Sequence, residues 1–201
     1  MEINIVIFLE LIGTVAFAVS GAKVAIQEKM DLLGICILGV TTAVGGGIIR
    51  DIILGITPPA AFQQPIYITV ALIISFLTFL LDDKKIFNIN NRFYSFIDAL
   101  GLAVFTIVGA LAGVSSGNMF LIIFVGTTTG VGGGVMRDVF ASRNPIIFQK
   151  NVYATASLIG VIAFTLIQKY NQNLAAILGG TIIFFLRALA LKFNWELPKA
   201  K

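Results

Sequence analysis

Apolar residues in this chain come in long, nearly unbroken runs, without the strict alternation of a half-buried strand or the polar face of a surface helix. A helix needs about 20 such residues to cross a hydrocarbon core about 30 Å thick. Seven runs approach that length, at roughly 3–22, 32–54, 65–81, 95–114, 119–140, 151–168 and 173–193. The pattern predicts an all-α integral membrane protein with seven transmembrane helices. Ala16-Phe17-Ala18 faintly resembles a signal-peptidase site, but Glu2 stands where a signal peptide carries Lys or Arg, so the first run is expected to remain as a span.

Composition strengthens that picture. Of 201 residues, 58% are hydrophobic and 12% charged, and the mean hydropathy is +0.97, too little polar surface for a soluble domain. The absence of histidine removes the commonest zinc ligand and neutral-pH proton carrier. No nucleophile–base constellation is visible, and enzymatic chemistry is not expected; no cofactor or metal is called for. Cys36 is the single cysteine and forms no internal disulfide. The net charge of +4 reads as membrane orientation rather than nucleic-acid affinity. Lys23, Lys29, Lys84, Lys85, Arg92, Arg143, Lys150, Arg187, Lys192, Lys199 and Lys201 fall on one side of the predicted spans, against Lys169 alone on the other. The positive-inside rule then places the N-terminus outside and the C-terminus in the cytoplasm of a multi-pass cell-membrane protein. Arg187 is expected to snorkel to the cytoplasmic surface, and Trp195 to anchor at the interface.

An internal repeat organises the chain. Thr41-Thr42-Ala43-Val44-Gly45-Gly46-Gly47-Ile48-Ile49-Arg50-Asp51 aligns with Thr128-Thr129-Gly130-Val131-Gly132-Gly133-Gly134-Val135-Met136-Arg137-Asp138, eight of eleven positions being identical. The match extends upstream from Glu10, Gly13, Phe17 and Gly21-Ala22 to Asp98, Gly101, Phe105 and Gly109-Ala110, and downstream from Phe62-Gln63 and Tyr67 to Phe148-Gln149 and Tyr153. Three spans per copy is an odd number, so the second copy enters from the opposite face, an inverted repeat of the kind common in transport proteins. The expected division is a first unit over 1–85, a cytoplasmic linker over 86–94, an inverted second unit over 95–170, and a seventh helix with its tail over 171–201.

The polar residues inside the spans carry the candidate chemistry. Three consecutive glycines disfavour a helix interior, and the second and fifth helices are expected to break or kink there, a break freeing backbone carbonyls as cation ligands. Close helix packing is the simpler reading of the same glycines. Thr42 and Thr129, with Thr41 and Thr128, either add hydroxyl ligands or bond back to their own helices. At helical rise Glu10 lies roughly 10 Å below the start of its span and Arg50 roughly 27 Å along the antiparallel one, so the two share one depth. The repeat gives Asp98 and Arg137 the mirrored depth. Two clusters are expected, Glu10/Arg50/Asp51 outside and Asp98/Arg137/Asp138 inside, as gating groups or as plain ion pairs that fix helix register. Gly13/Phe17/Gly21 and Gly101/Phe105/Gly109 each recur every four residues and read as packing stripes.

A GGGxxRD motif in the second and fifth of seven spans, with a three-plus-three repeat, resembles the prokaryotic trimeric intracellular cation (TRIC-type) channels, sequences also described as glycine-transporter-like membrane proteins. The resemblance covers nearly the whole chain. It implies a homotrimer in membrane lipid, with a potassium-permeable monovalent-cation pore through each protomer around kinked second and fifth helices. The ion pathway is then expected along Thr42, Gly45, Gly46, Gly47, Arg50, Asp51, Thr129, Gly132, Gly133, Gly134, Arg137 and Asp138, with Glu10 and Asp98 as gating groups. The alternative is a secondary transporter of a small solute such as glycine.

Overall fold

Polar caps set where the long helices begin. The Asp31 carboxylate accepts the Gly34 N–H at 2.7 Å, the Asn118 side chain accepts those of Phe120 and Leu121 at 3.0 and 3.3 Å, and the Asn171 side chain accepts that of Leu174 at 2.9 Å. Each starts an apolar helix: α2 (Leu32–Ile53), α6 (Met119–Phe140) and α9 (Gln172–Phe193). The other helices are α1 (Ile3–Gln27), α3 (Ala60–Gln63), α4 (Ile66–Asp83), α5 (Asn91–Gly113), α7 (Ile146–Gln149) and α8 (Ala154–Ile167). The structure is a computed structural model that describes residues 3–83, 91–149 and 152–195. No strand occurs among the described residues.

Among the described residues, five helices are long and apolar enough to cross a membrane: Ile5–Gln27, Leu32–Ile53, Phe93–Ser116, Met119–Phe140 and Gln172–Phe193. The apolar parts of the remaining two expected spans are shorter, Ile66–Leu81 and Ala154–Ile167. At helical rise the 14 residues of α8 cover about 21 Å. Helix α1 runs five residues past the expected end of its span, and α5 starts at Asn91, inside the expected linker. The rest of that linker, with Glu2, Lys84, Lys85, Lys150, Lys199 and Lys201, lies outside the described residues.

The expected break at the glycine triplets is corrected by the structure. Helices α2 and α6 each continue as one α-helix through Gly45-Gly46-Gly47 and Gly132-Gly133-Gly134. The glycines instead let two backbones touch. A Cβ placed on Gly46 would meet the Thr129 carbonyl oxygen, and one on Gly133 would meet the Thr42 carbonyl oxygen. Small residues permit this approach in lipid, where packing replaces hydrophobic expulsion as the force that joins helices. The packing recurs one layer away. Gly13 leaves room for the Phe105 ring and Gly101 for the Phe17 ring, and the two rings lie 5.2 Å apart at 36°. Phe17 is fully buried and Phe105 nearly so. Contacts of α1 with α5 and of α2 with α6 are therefore reciprocal, each copy's glycine receiving the other copy's bulk.

Candidate functional site

Near the Glu10 end of the bundle, α2 delivers Arg50 and Asp51 to the side chains of α1 and α4. Arg50 Nη1 donates to Glu10 Oε1 at 2.7 Å and Arg50 Nε to Asp51 Oδ1 at 2.8 Å. The Tyr67 hydroxyl donates to Glu10 Oε2. The second Asp51 oxygen accepts the Ala60 N–H at 2.7 Å, so this carboxylate also ties the start of α3 to the end of α2. Arg50 and Asp51 are buried, and the Glu10 side chain keeps 14% exposure.

The Asp98 end repeats the arrangement with the other copy's residues. Arg137 Nε donates to Asp138 Oδ1 at 2.8 Å, and Asp138 Oδ2 accepts the Ile146 N–H at 2.9 Å. Arg137 Nη1 donates to Asp98 and, at 2.6 Å, to Ser20 Oγ. Ser20 Oγ donates in turn to Asp98 Oδ1 at 2.9 Å. All four residues are buried. Both expected charge trios are thus brought together, at opposite ends of the molecule. The adjacent Arg-Asp pair has a structural use in both places: its aspartate orients its own arginine and clamps the loop that follows.

The two ends differ in detail. Glu10 is one methylene longer than Asp98, and its tyrosine reaches it. Tyr153 sits beside Asp98, but its hydroxyl closes no hydrogen bond of standard geometry among the described residues. Arg187 of α9 joins this end only, with its guanidinium 4.8 Å from the centre of the Tyr153 ring. The expected snorkelling of Arg187 is corrected: it is 2% exposed, held inside by the ring and by the nearby Asp98 carboxylate. Sequence reasoning missed Ser20, Tyr67, Tyr153 and Arg187 as members of these clusters. The paired position of the two tyrosines in the repeat was the signal available; Ser20 and Arg187 have no repeat counterpart.

Cavities open at both ends. At the Glu10 end, a pocket of about 320 Å³ is lined by Glu10, Arg50, Asp51, Ala60 and Gln172 among others, and a small one of about 30 Å³ reaches Gly47, Tyr67 and Phe105. At the Asp98 end, a pocket of about 260 Å³ is lined by Ser20, Lys23, Asp98, Arg137, Asp138 and Arg187 among others. The pockets of one end share no lining residue with that of the other. Arg143 spans the Asp98 end, with Nε donating to Glu28 Oε1 at 2.5 Å and Nη1 to Gln27 Oε1 at 3.1 Å.

The remaining candidates lie between the ends. Thr42 and Thr129 are fully buried, and each hydroxyl donates at 2.6 Å to its own helix, to the Leu38 and Val125 carbonyls. Thr41 and Thr128 do the same with Ile37 and Phe124. Gly45 faces the Met136 thioether, Gly132 faces Ile49, and Gly134 lies beside Tyr153. With the helices continuous, carbonyls freed by a break are not the oxygen ligands here.

Known proteins match this chain over nearly its whole length. A family model described as "Glycine transporter" matches residues 7–83 and 95–169. The UPF0126 membrane protein YvgT of Bacillus subtilis is 37% identical over 195 residues, covering 94% of each chain. The UPF0126 inner membrane protein YadS of Escherichia coli is 34% identical over 198 residues, covering 96% of this chain and 95% of that one. A structure solved to explain conductance through TRIC cation channels superposes with a TM-score of 0.88 at 38% identity, covering 100% of this chain and 98% of the other. The TRIC trimeric intracellular cation channel orthologue from Rhodobacter sphaeroides superposes with a TM-score of 0.89 at 33% identity, covering 96% of this chain and 100% of the other.

Proposed function

The chain belongs to the glycine-transporter (UPF0126) family of membrane proteins with TRIC-type structure, and from that premise we propose that it is a cation channel. Its finer features are proposed with it: a potassium-permeable monovalent-cation path through each protomer of a homotrimer, with weak discrimination among alkali cations. No extended filter sequence of the TVGYG kind is present. The observation that carries the reading is that cavities open at both ends, each lined by an arginine held by carboxylates, the smaller one at the Glu10 end reaching Phe105.

The proposed path enters past Glu10, Arg50, Asp51 and Gly47, crosses the layer where Thr42, Gly45, Gly46, Thr129, Gly132 and Gly133 bring α2 and α6 together, and leaves past Gly134, Arg137, Asp138 and Asp98. An unpaired arginine would repel a passing cation. Two carboxylates around Arg50 reverse that sign, so the end attracts cations while the guanidinium holds both acids in place. In this reading the buried Phe17/Phe105 ring layer is the constriction of the path. The duplicated match of the family model supports the two-unit division, with seven spans of which α4 and α8 are short. The N-terminus lies outside, so the Glu10 end faces outward. Removing the buried Arg187 from the basic count leaves the charge imbalance in the same direction. The transporter alternative rests on the name of the family model alone, and the likeness to channels over the whole chain does not favour it.

The test is ion current through purified protein in a planar bilayer with a potassium gradient. Discrete, non-saturating unitary steps that reverse toward the potassium potential are expected. Silence at all voltages together with saturable solute counterflow in liposomes would refute the channel.

A further inference from the structure

The inverted repeat would give the two ends equal charge if nothing else entered them. At the Glu10 end, the carboxylates of Glu10 and Asp51 surround one guanidinium, Arg50, leaving one negative charge in excess. At the Asp98 end, Asp98 and Asp138 surround Arg137 in the same way. Here α9, which belongs to neither copy, adds Arg187. Its side chain is buried, stacks on Tyr153 and lines the same cavity as Asp98. Its Nε and Nη1 have no hydrogen-bond partner among the described residues. A guanidinium whose Nε and Nη1 close no hydrogen bond, set against a ring face and near a carboxylate, contributes charge to the cavity. Lys23, over the Tyr94 ring, and Arg143, paired with Glu28, also line this cavity.

We propose that Arg187 is the residue that makes conduction asymmetric: it cancels the excess negative charge at the Asp98 end, so cations enter more readily from the Glu10 end. The inference rests on the channel reading above. One elementary charge seen across about 10 Å of water changes local cation concentration by roughly twofold, and low-dielectric walls raise that figure. Wild-type channels in symmetric 10 mM KCl should therefore pass about twofold more current in one direction. In 1 M KCl, where the screening length falls to about 3 Å, the ratio should approach one.

The experiment is single-channel recording of wild type, Arg187→Gln and Arg187→Lys in symmetric KCl at both concentrations. Arg187→Gln uncovers the Asp98-end carboxylates and should bring the low-salt ratio down by about twofold, chiefly by raising the smaller current. Arg187→Lys keeps the charge and should keep the wild-type ratio, which a purely structural role for the guanidinium would not predict. Wild-type current without rectification at 10 mM overturns the inference and leaves the channel reading standing, as does an Arg187→Gln ratio equal to wild type. Absence of wild-type current overturns the channel reading itself. Should Arg187→Gln fail to insert, the wild-type salt dependence with Arg187→Lys still decides: rectification that persists in 1 M KCl, or that is lost in the lysine variant, refutes charge as its origin.

Discussion

Alanine scanning within one glycine triplet separates packing from flexibility. If the glycines of α2 serve as a hinge, alanine at Gly46 and at Gly47 should have similar effects. The structure predicts opposite ones. A Cβ on Gly46 meets the Thr129 carbonyl oxygen, with the carbonyl carbon at 3.2 Å and the Gly133 nitrogen at 3.5 Å. These are backbone atoms of a neighbouring helix and cannot rotate away. A Cβ on Gly47 has no neighbour closer than Arg50 Nη2 at 4.0 Å. Gly46→Ala must therefore push α2 and α6 apart, an overpacking cost of about 1–3 kcal/mol. At about 2–4 °C per kcal/mol for a chain of this size, its midpoint should fall by roughly 2–12 °C. Gly47→Ala should stay near wild type or rise, since alanine is the better helix former by about 1 kcal/mol in water. The assay is heating in detergent while the sole cysteine, Cys36 on α2, is followed by a fluorogenic maleimide. Equal destabilisation by both variants, or a Gly46→Ala protein as stable as wild type, would refute the packing account.

Other perturbations test the charged ends. Glu10→Lys places a cation against Arg50 and should abolish or severely alter ion flux while the protein still inserts; unchanged conductance in that variant sinks the role given to this cluster. Asp138→Ala frees the Ile146 N–H and should raise amide exchange in residues 142–148 by at least tenfold; protection equal to wild type would show that the carboxylate is not the clamp. Phe17→Ala should cost about 3–5 kcal/mol of stability and raise resting current if the ring layer seals the path; an unchanged open probability argues that the seal lies elsewhere. With the N-terminus outside, a single cysteine at Lys169 in a Cys36→Ala background should label from outside in intact cells, and one at Arg143 only after permeabilisation. The reverse result inverts the topology.

Some of this architecture was legible because duplication leaves marks that hydropathy alone does not. Arg50 and Arg137 at matched positions, with Glu10 and Asp98 at matched depths, specify which charges must meet in a medium where an unpaired charge is costly. The glycine triplets were misread as breaks for a related reason. Propensity in water disfavours three glycines in a helix, but in lipid every backbone group must be bonded within the segment, and the helix continues. What the glycines buy room for is visible only once the facing carbonyls of Thr42 and Thr129 are placed. Arg187 was misplaced because its distance from the end of α9 is compatible with snorkelling. Nothing local to α9 shows that Tyr153 and Asp98 lie beneath it.

That last residue also explains why two near-identical motifs yield unlike sites. In the Glu10 end the longer acid reaches both Arg50 and Tyr67, and its two oxygens are satisfied. At Asp98, one methylene shorter, the Tyr153 hydroxyl closes no bond of standard geometry, and the polar gap is filled by Ser20 of α1, from the other copy, and by Arg187 of α9, from outside the repeat. A substitution follows that exchanges the two solutions. Asp98→Glu should restore the Tyr153 bond but crowd Ser20 and Arg187, while Asp98→Glu with Ser20→Ala should relieve part of that crowding. Double-mutant coupling between positions 98 and 20 measured by the Cys36 melting assay should exceed about 0.5 kcal/mol, the size found for residues in one bonded network. Additive effects would mean that Ser20 merely lies next to the acid, and that the asymmetry of the two ends has to be sought in α9 alone.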